Sequence, residues 1–338
     1  MGRPIAALAL ALFAGCAPPG AAAERTAAIT DGTEDRVHLQ VGYIEKEDGS
    51  IGCSATLVGP RSVITAGHCV WPDHTQVVVL DGARYRSERS VIQPAYDPTT
   101  HAEDIGLLTL ERVAHLAPGQ LSGQPAATGT ALTLVGYGAT ADSAEDQGVR
   151  RQATNVVSDL GVSFFAFAGT GGGSGNVCHK DSGGAALVTM PSGLEAQAGV
   201  VIGGDAPCGT RGFATRVDLN LAWLKKERGG DVAVAGEPGA FGHPCAADAD
   251  CKTGICRGNL CTAACSGARD CAGGAPCQGG YCALPDPPRD DGGCSLSRGP
   301  GSGASPLLVF LLVALGLRRR TSRGRCAGAP WIGASPRP

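Results

Sequence analysis

Three short stretches of the chain hold residue types able to break and make covalent bonds. Thr65-Ala66-Gly67-His68-Cys69 closes an apolar run, and Glu103-Asp104-Ile105-Gly106-Leu107-Leu108 sets an acid at the mouth of an apolar strand. Cys178-His179-Lys180-Asp181-Ser182-Gly183-Gly184 puts a serine in a tight, glycine-flanked turn. Taken alone, a histidine beside a cysteine is more often structural, and an acid at a strand mouth is commonplace. Together they form a complete chemical set. A serine hydroxyl is a weak nucleophile until a histidine accepts its proton. The imidazole in turn needs a buried carboxylate to fix its tautomer and stabilise its cation. The chain order is His68, Asp104, Ser182, one of several unrelated orders in which this set occurs.

Such groups must be held by a rigid frame, and residues 29–228 read as one. Short β-type runs at 41–44, 54–58, 62–65, 77–80, 105–110, 131–135, 187–189 and 198–202 are separated by Gly, Pro or Asp clusters. Many short strands at such spacing argue for a sandwich or a barrel. One helical stretch, 217–228, has Val217, Leu221 and Leu224 at helical spacing. After Gly229 the pattern gives way to Gly, Ala and Pro, read as a linker over 229–244.

Over 29–228 the chain resembles the chymotrypsin/trypsin-type serine proteases. Beyond the three stretches, Cys53 and Cys69 stand 16 residues apart, the family's spacing for the disulfide behind the active-site histidine. Val135-Gly136-Tyr137-Gly138 resembles the family's Gly-Trp-Gly strand, and 213–217 leading to Ala222-Trp223-Leu224 resembles its last strand and closing helix. The resemblance implies an all-β fold of two antiparallel six-stranded barrels with a C-terminal helix and the site in the cleft between them. It implies disulfides Cys53–Cys69 and Cys178–Cys208. It makes Ser182 the nucleophile, His68 the general base and then acid, and Asp104 the residue that orients His68. The backbone N–H groups of Lys180 and Ser182 become the oxyanion hole. Asp181 becomes the partner of a new ammonium at Ile29, whose sequence Ile29-Thr30-Asp31-Gly32 resembles the family's mature start. Polypeptide substrates, a monomer and no cofactor or metal are expected.

Four departures matter. The family has Gly where Lys180 stands, and a side chain there restricts the backbone if the position needs a conformation only Gly tolerates well. The expectation is that Lys180 sits in an ordinary region with its side chain at the cleft rim; the alternative is an impaired oxyanion hole. Ala28, not Lys or Arg, precedes Ile29, so self-activation by a trypsin-like cut is not evident. Ala185 replaces the usual Pro. By register, Asn176 forms the base of the primary pocket, where proteases that prefer basic residues carry Asp; Asn lacks the charge to pair with Lys or Arg. Ile202, Gly203 and Gly204 correspond to the pocket wall. Arg211 lies near it, either facing inward to favour acidic residues or solvated at the surface.

The remaining sequence concerns delivery. Arg3 and an apolar run over 5–14 have the order of a secretory signal, with a cut before Glu24 and a short propeptide over 24–28. An alternative cut before Cys16 resembles a lipobox. Cys245, Cys251, Cys256 and Cys261 recur 20 or 21 residues later as Cys265, Cys271, Cys277 and Cys282. A segment so poor in large apolar residues holds its shape through cross-links, most simply two pairs inside each repeat. A further linker over 283–303 holds Gly293-Cys294-Ser295, then comes an apolar stretch over 304–320 ending in Arg318-Arg319-Arg320, and a tail over 321–338. This order resembles the MYXO-CTERM sorting segments of myxobacterial surface proteins, so envelope or membrane attachment is expected. The 338 residues carry a net charge of −3, which gives no electrostatic footprint for nucleic acid. Fifteen cysteines point to an oxidising compartment.

Overall fold

A computed structural model describes residues 29–72, 74–169 and 174–287. Both cleavage sites, Cys16, the propeptide, Cys294, segment 304–320 and the tail lie outside the described residues. Among the described residues no helix is long and apolar enough to cross a membrane.

Apart from the two-residue strands Thr33–Glu34 and Gln120–Leu121, the first six strands are β1 (Val41–Glu45), β2 (Ile51–Gly59), β3 (Ser62–Thr65), β4 (Val77–Leu80), β5 (Ala83–Ile92) and β6 (Gly106–Leu110). They close into an antiparallel barrel in the order β1-β2-β3-β6-β5-β4. The next six are β7 (Ala131–Gly136), β8 (Arg151–Leu160), β9 (Phe164–Phe167), β10 (Ala185–Thr189), β11 (Glu195–Gly204) and β12 (Gly212–Arg216). They pair as β7-β8-β9-β12-β11-β10, and β10 pairs with β7 to close the ring. The two barrels therefore repeat one pairing order. Bulges between Leu57 and Gly59, Ser87 and Arg89, and Val201 and Gly203 bend the strands enough to close.

Burial explains which residues make which strand. β3 and β6 (SVIT and GLLTL) carry no charge and are buried at every position. β5 alternates: Ala83, Tyr85 and Ser87 are buried while Arg84 and Arg86 face water. Leu57, Ile64, Leu80, Leu107 and Leu108 build the first core; Leu134, Phe165, Phe167 and Val201 build the second, with Ile29 among them.

Helix α1 (Val217–Arg228) begins with Asp218 and ends with Lys225, Lys226 and Arg228, charges that complement its dipole. Val217 and Leu224 pack into the first core. The chain then turns back onto that barrel. Ala233 N–H donates to the Val58 carbonyl, Leu121 N–H to Ala233, and Ala235 N–H to Leu121. Gly59 is required here, because a Cβ would lie 1.8 Å from the Asp231 carbonyl oxygen.

The cysteine repeats pair as Cys245–Cys256 and Cys251–Cys261, then Cys265–Cys277 and Cys271–Cys282. Each repeat closes one two-residue ladder, Cys256–Arg257 with Leu260–Cys261 and Cys277–Gln278 with Tyr281–Cys282. Val113 of the first barrel packs against Cys271, Ala275 and Cys282.

Candidate active site

Both halves of the site sit in loops at corresponding places in the two barrels. His68 lies on the 3-10 turn Gly67–Cys69 directly after β3, tied to β2 by the Cys53–Cys69 disulfide. Asp104 precedes β6 and is fully buried. Its Oδ1 accepts the His68 backbone N–H at 2.9 Å, and its Oδ2 accepts His68 Nδ1–H at 2.8 Å. Burial pushes the Asp104 carboxyl up, but the hydrogen bonds and charge of His68, with a bond from His101, outweigh it and hold the group below its ordinary value. A carboxylate in that state fixes the imidazole with Nε2 free to take a proton. Thr215 Oγ1 donates to the Asp104 carbonyl at 2.9 Å, linking the acid to β12.

His101 is a partner that sequence reasoning passed over. Its Nδ1 donates to the same Asp104 Oδ2 at 2.9 Å, and its ring stands edge-on to His68 at 5.9 Å. Two left-handed residues, His101 (φ 54°) and Glu103 (φ 52°), make the turn that allows this. The Glu103 carboxylate accepts from Asn220 of α1 at 2.7 Å. His68, His101 and Asp104 place ligand-type atoms within 4.8 Å of one another, and the Nδ1 bonds to Asp104 account for that closeness.

Ser182 lies three residues before β10. Gly183, at φ 87°, has no room for a side chain: a Cβ would lie 2.0 Å from the Ser54 carbonyl and 2.1 Å from Thr65 Oγ1. This close approach sets the Ser182 turn against the first barrel. Ser182 Oγ reaches the Ile202 carbonyl at 3.5 Å. Among the described residues, neither the Lys180 nor the Ser182 amide donates a hydrogen bond. His68, Lys180, Ser182, Gly203 and Gly204 line one cleft of about 330 Å³. The Cys178–Cys208 disulfide borders it.

Lys180 departs from expectation. Its φ is 75°, the left-handed region, so the ordinary backbone expected for it does not hold. The family's Gly position demands a Gly-like conformation, and Lys180 adopts it at a steric cost of about 1–2 kcal/mol.

Asp181 is buried under Gly136 and Gly138, where any Cβ would lie 2.2–2.5 Å from its carboxylate. Cys178 N–H and Gly138 N–H donate to it. Burial without a contacting cation pushes this carboxyl up to about 7. Ile29 is fully buried, with φ 53°.

The pocket residues divide. Gly203 and Gly204 line the cleft. Asn176 is fully buried, its amide spent on the Ala168 carbonyl and the Val177 N–H, and it does not line the cleft. Arg211 stacks on the Phe213 ring at 5.0 Å and lies 3.8 Å from Asp159, which is the surface alternative. Ile202, His101, Phe164 and Phe213 line a neighbouring hollow of about 290 Å³.

Comparison with known proteins adds the family. The model of the family described as Trypsin matches residues 29–224. The chain belongs to the trypsin family. Among trypsin-family relatives, it is 27% identical to a trypsin of Saccharopolyspora erythraea over 164 residues, 42% of this chain and 72% of that protein. It is 28% identical to human kallikrein-7 over 202 residues, 51% of this chain and 76% of that one. Two solved structures share the trypsin-family fold. Neuropsin, a serine protease expressed in the limbic system of mouse brain, superposes with a TM-score of 0.51 at 21% identity, covering 58% of this chain and 98% of its own. Human heparin binding protein does so with a TM-score of 0.51 at 22% identity, covering 58% and 95%. At these identities the two structures speak to the fold alone.

Proposed function

We propose that this trypsin-family chain is an exported serine endopeptidase that cleaves polypeptides through Ser182, His68 and Asp104. His68 Nε2 takes the Ser182 proton as Oγ attacks the scissile carbonyl. The oxyanion forms against the amides of Lys180 and Ser182. The leaving amine takes its proton from His68, and water then repeats the sequence on the acyl-enzyme. The observation that carries this reading is the 2.8 Å His68–Asp104 bond in a cleft that His68 shares with Ser182.

Asp181 fits the same reading. A carboxyl pushed up to about 7 by burial, against a weaker pull from the Arg151 charge, has no contacting cation among the described residues, and release of an ammonium at Ile29 would supply one. The position aligned with the pocket base holds Asn176, which is buried away from the cleft and brings no charge to it, so cleavage after Lys or Arg is not favoured. Six disulfides among the described residues suit an extracellular setting, and segment 304–320 would attach the enzyme to the envelope.

Labelling by a fluorophosphonate, absent in Ser182→Ala, tests the chemistry. A peptide-library digest with the same control reads specificity. One observation favours a second reading, a catalytically weak protease-like binding protein: the left-handed Lys180 at the oxyanion hole. A correctly processed chain that stays unlabelled would decide for that reading.

A further inference from the structure

The amides of Lys180 and Ser182 can only stabilise an oxyanion if both point into the cleft together, and Lys180 is a residue that resists the required backbone. Something must hold it there. The first barrel supplies one candidate at the right place. Ser54, on β2, is fully buried, and its hydroxyl lies 3.0 Å from the Lys180 carbonyl oxygen. The same hydroxyl accepts the Tyr137 backbone N–H at 2.9 Å. A hydroxyl has one proton to give. With an N–H already pointing at its oxygen, that proton goes to Lys180.

Ser54 also acts through its backbone. Its N–H donates to the Ser182 carbonyl at 2.8 Å, and its own carbonyl accepts Thr65 Oγ1–H at 2.8 Å. One residue of the first barrel thus holds the carbonyls of both residues whose amides would form the hole. Only φ and ψ of Lys180 separate its amide from its carbonyl. A carbonyl pinned from across the cleft therefore limits where the amide can turn. Glycine in place of Lys180 would need less help, since positive φ carries no steric penalty for it.

We propose that Ser54 is a positioning residue for the oxyanion hole, its hydroxyl clamping the Lys180 peptide in the left-handed setting that glycine would adopt unaided. The inference rests on the serine endopeptidase reading and adds to it a residue that touches neither substrate nor reacting atoms.

The test uses the mature, full-length enzyme, a peptide amide substrate and a peptide boronate whose tetrahedral adduct places an oxygen in the hole. Ser54→Ala should lower kcat at least tenfold with KM within twofold, and weaken boronate binding by a similar factor. Ser54→Gly also lacks the hydroxyl while keeping the N–H bond to Ser182, and must show the same fall. In a Lys180→Gly background, Ser54→Ala should cost less than threefold. A purely structural role would shift stability and leave the kcat-to-KM split and the coupling to Lys180 unmoved. An active, labelled wild type whose kcat and boronate affinity survive both Ser54 variants within twofold overturns this inference alone. Losses from Ser54→Ala that are equal in the wild-type and Lys180→Gly backgrounds also overturn it. A wild type that neither labels nor turns over substrate overturns the endopeptidase reading with it.

Discussion

The two barrels share a pairing order and differ in what their equivalent loops hold. In the first, the β3–β4 connection carries His68 and the β5–β6 connection carries Asp104. In the second, the β9–β10 connection carries Ser182, and the strand before the β11–β12 connection supplies Gly203 and Gly204. The first half is assembled by side chains: one carboxylate collects His68 and His101. The second half is assembled by backbone, with free amides at Lys180 and Ser182 and a buried carboxyl at Asp181 held by two N–H groups. On the proposed mechanism, a repeated scaffold is thus divided into a proton-handling half and an electrophile-binding half. On that reading neither is complete alone, and bonds from Ser54 and Thr215 are among those that run between them.

This contrast can be broken at either half. On the proposed mechanism the largest effect is expected at the nucleophile: Ser182→Ala should lower kcat by about 10⁶-fold and abolish fluorophosphonate labelling. Asp104→Asn should cost about 10⁴-fold in kcat, because an amide in that place leaves His68 in the wrong tautomer. The loss should appear in kcat measured on a small peptide amide, with the fold retained by circular dichroism. His101→Ala removes one of two side-chain donors to the same carboxylate oxygen. A neutral or charged hydrogen bond of this sort contributes roughly 1 kcal/mol, so kcat/KM should fall about fivefold and its acid limb should shift. An unaltered profile would reduce His101 to a bystander.

The backbone-built half gives a pH signature. In the uncleaved chain the Asp181 carboxyl has a value of about 7, raised from 3.8. Between those values the folded state holds a proton that the unfolded state has released. The associated stability is therefore fully present below about pH 4 and is lost as pH rises through about 7. Unfolding of uncleaved Ser182→Ala protein by denaturant across this range should show the decline, and Asp181→Asn should flatten it. Cleavage that frees an ammonium at Ile29 should remove the decline as well. The smallest effect is expected from Lys180→Gly, which relieves a left-handed side chain and should raise stability by about 1 kcal/mol, read as a higher denaturant midpoint in the Ser182→Ala background.

What could be read from sequence followed from what the chemistry leaves no freedom over. A nucleophile, base and acid are drawn from a short list of side chains, and the Gly pair after Ser182 leaves no room for a side chain at Gly183, so these stood out in the chain. The cysteines did so for the same reason. Strands β5 and β8 escaped because their inward faces are partly polar, with Ser87 in one and Arg151 and Asn155 in the other. An apolar-run criterion passes over such alternation. His101 escaped because its role depends on two left-handed residues that no pattern announces. Ser54 escaped because it acts on a residue 126 positions away. Lys180 was visible as a departure, yet neither its left-handed φ nor the bond from Ser54 of the other barrel to its carbonyl could be read from the chain. Asn176 was aligned to the pocket base, but its amide had closer backbone partners.

The return of the chain after α1 sets where this enzyme can be cut short. The stretch after the helix is laced to Val58 and Leu121, and Val232 and Val234 are buried in the first core. A protein ended at residue 228 would lack both valines and uncover the part of the first core they pack on, forfeiting about 1.5–3 kcal/mol for each, and would orphan the Val58 carbonyl and the Leu121 amide. The family match stops at 224, but the backbone bonds that hold the chain to the first barrel run on through Ala235, so a truncated form should keep at least that far.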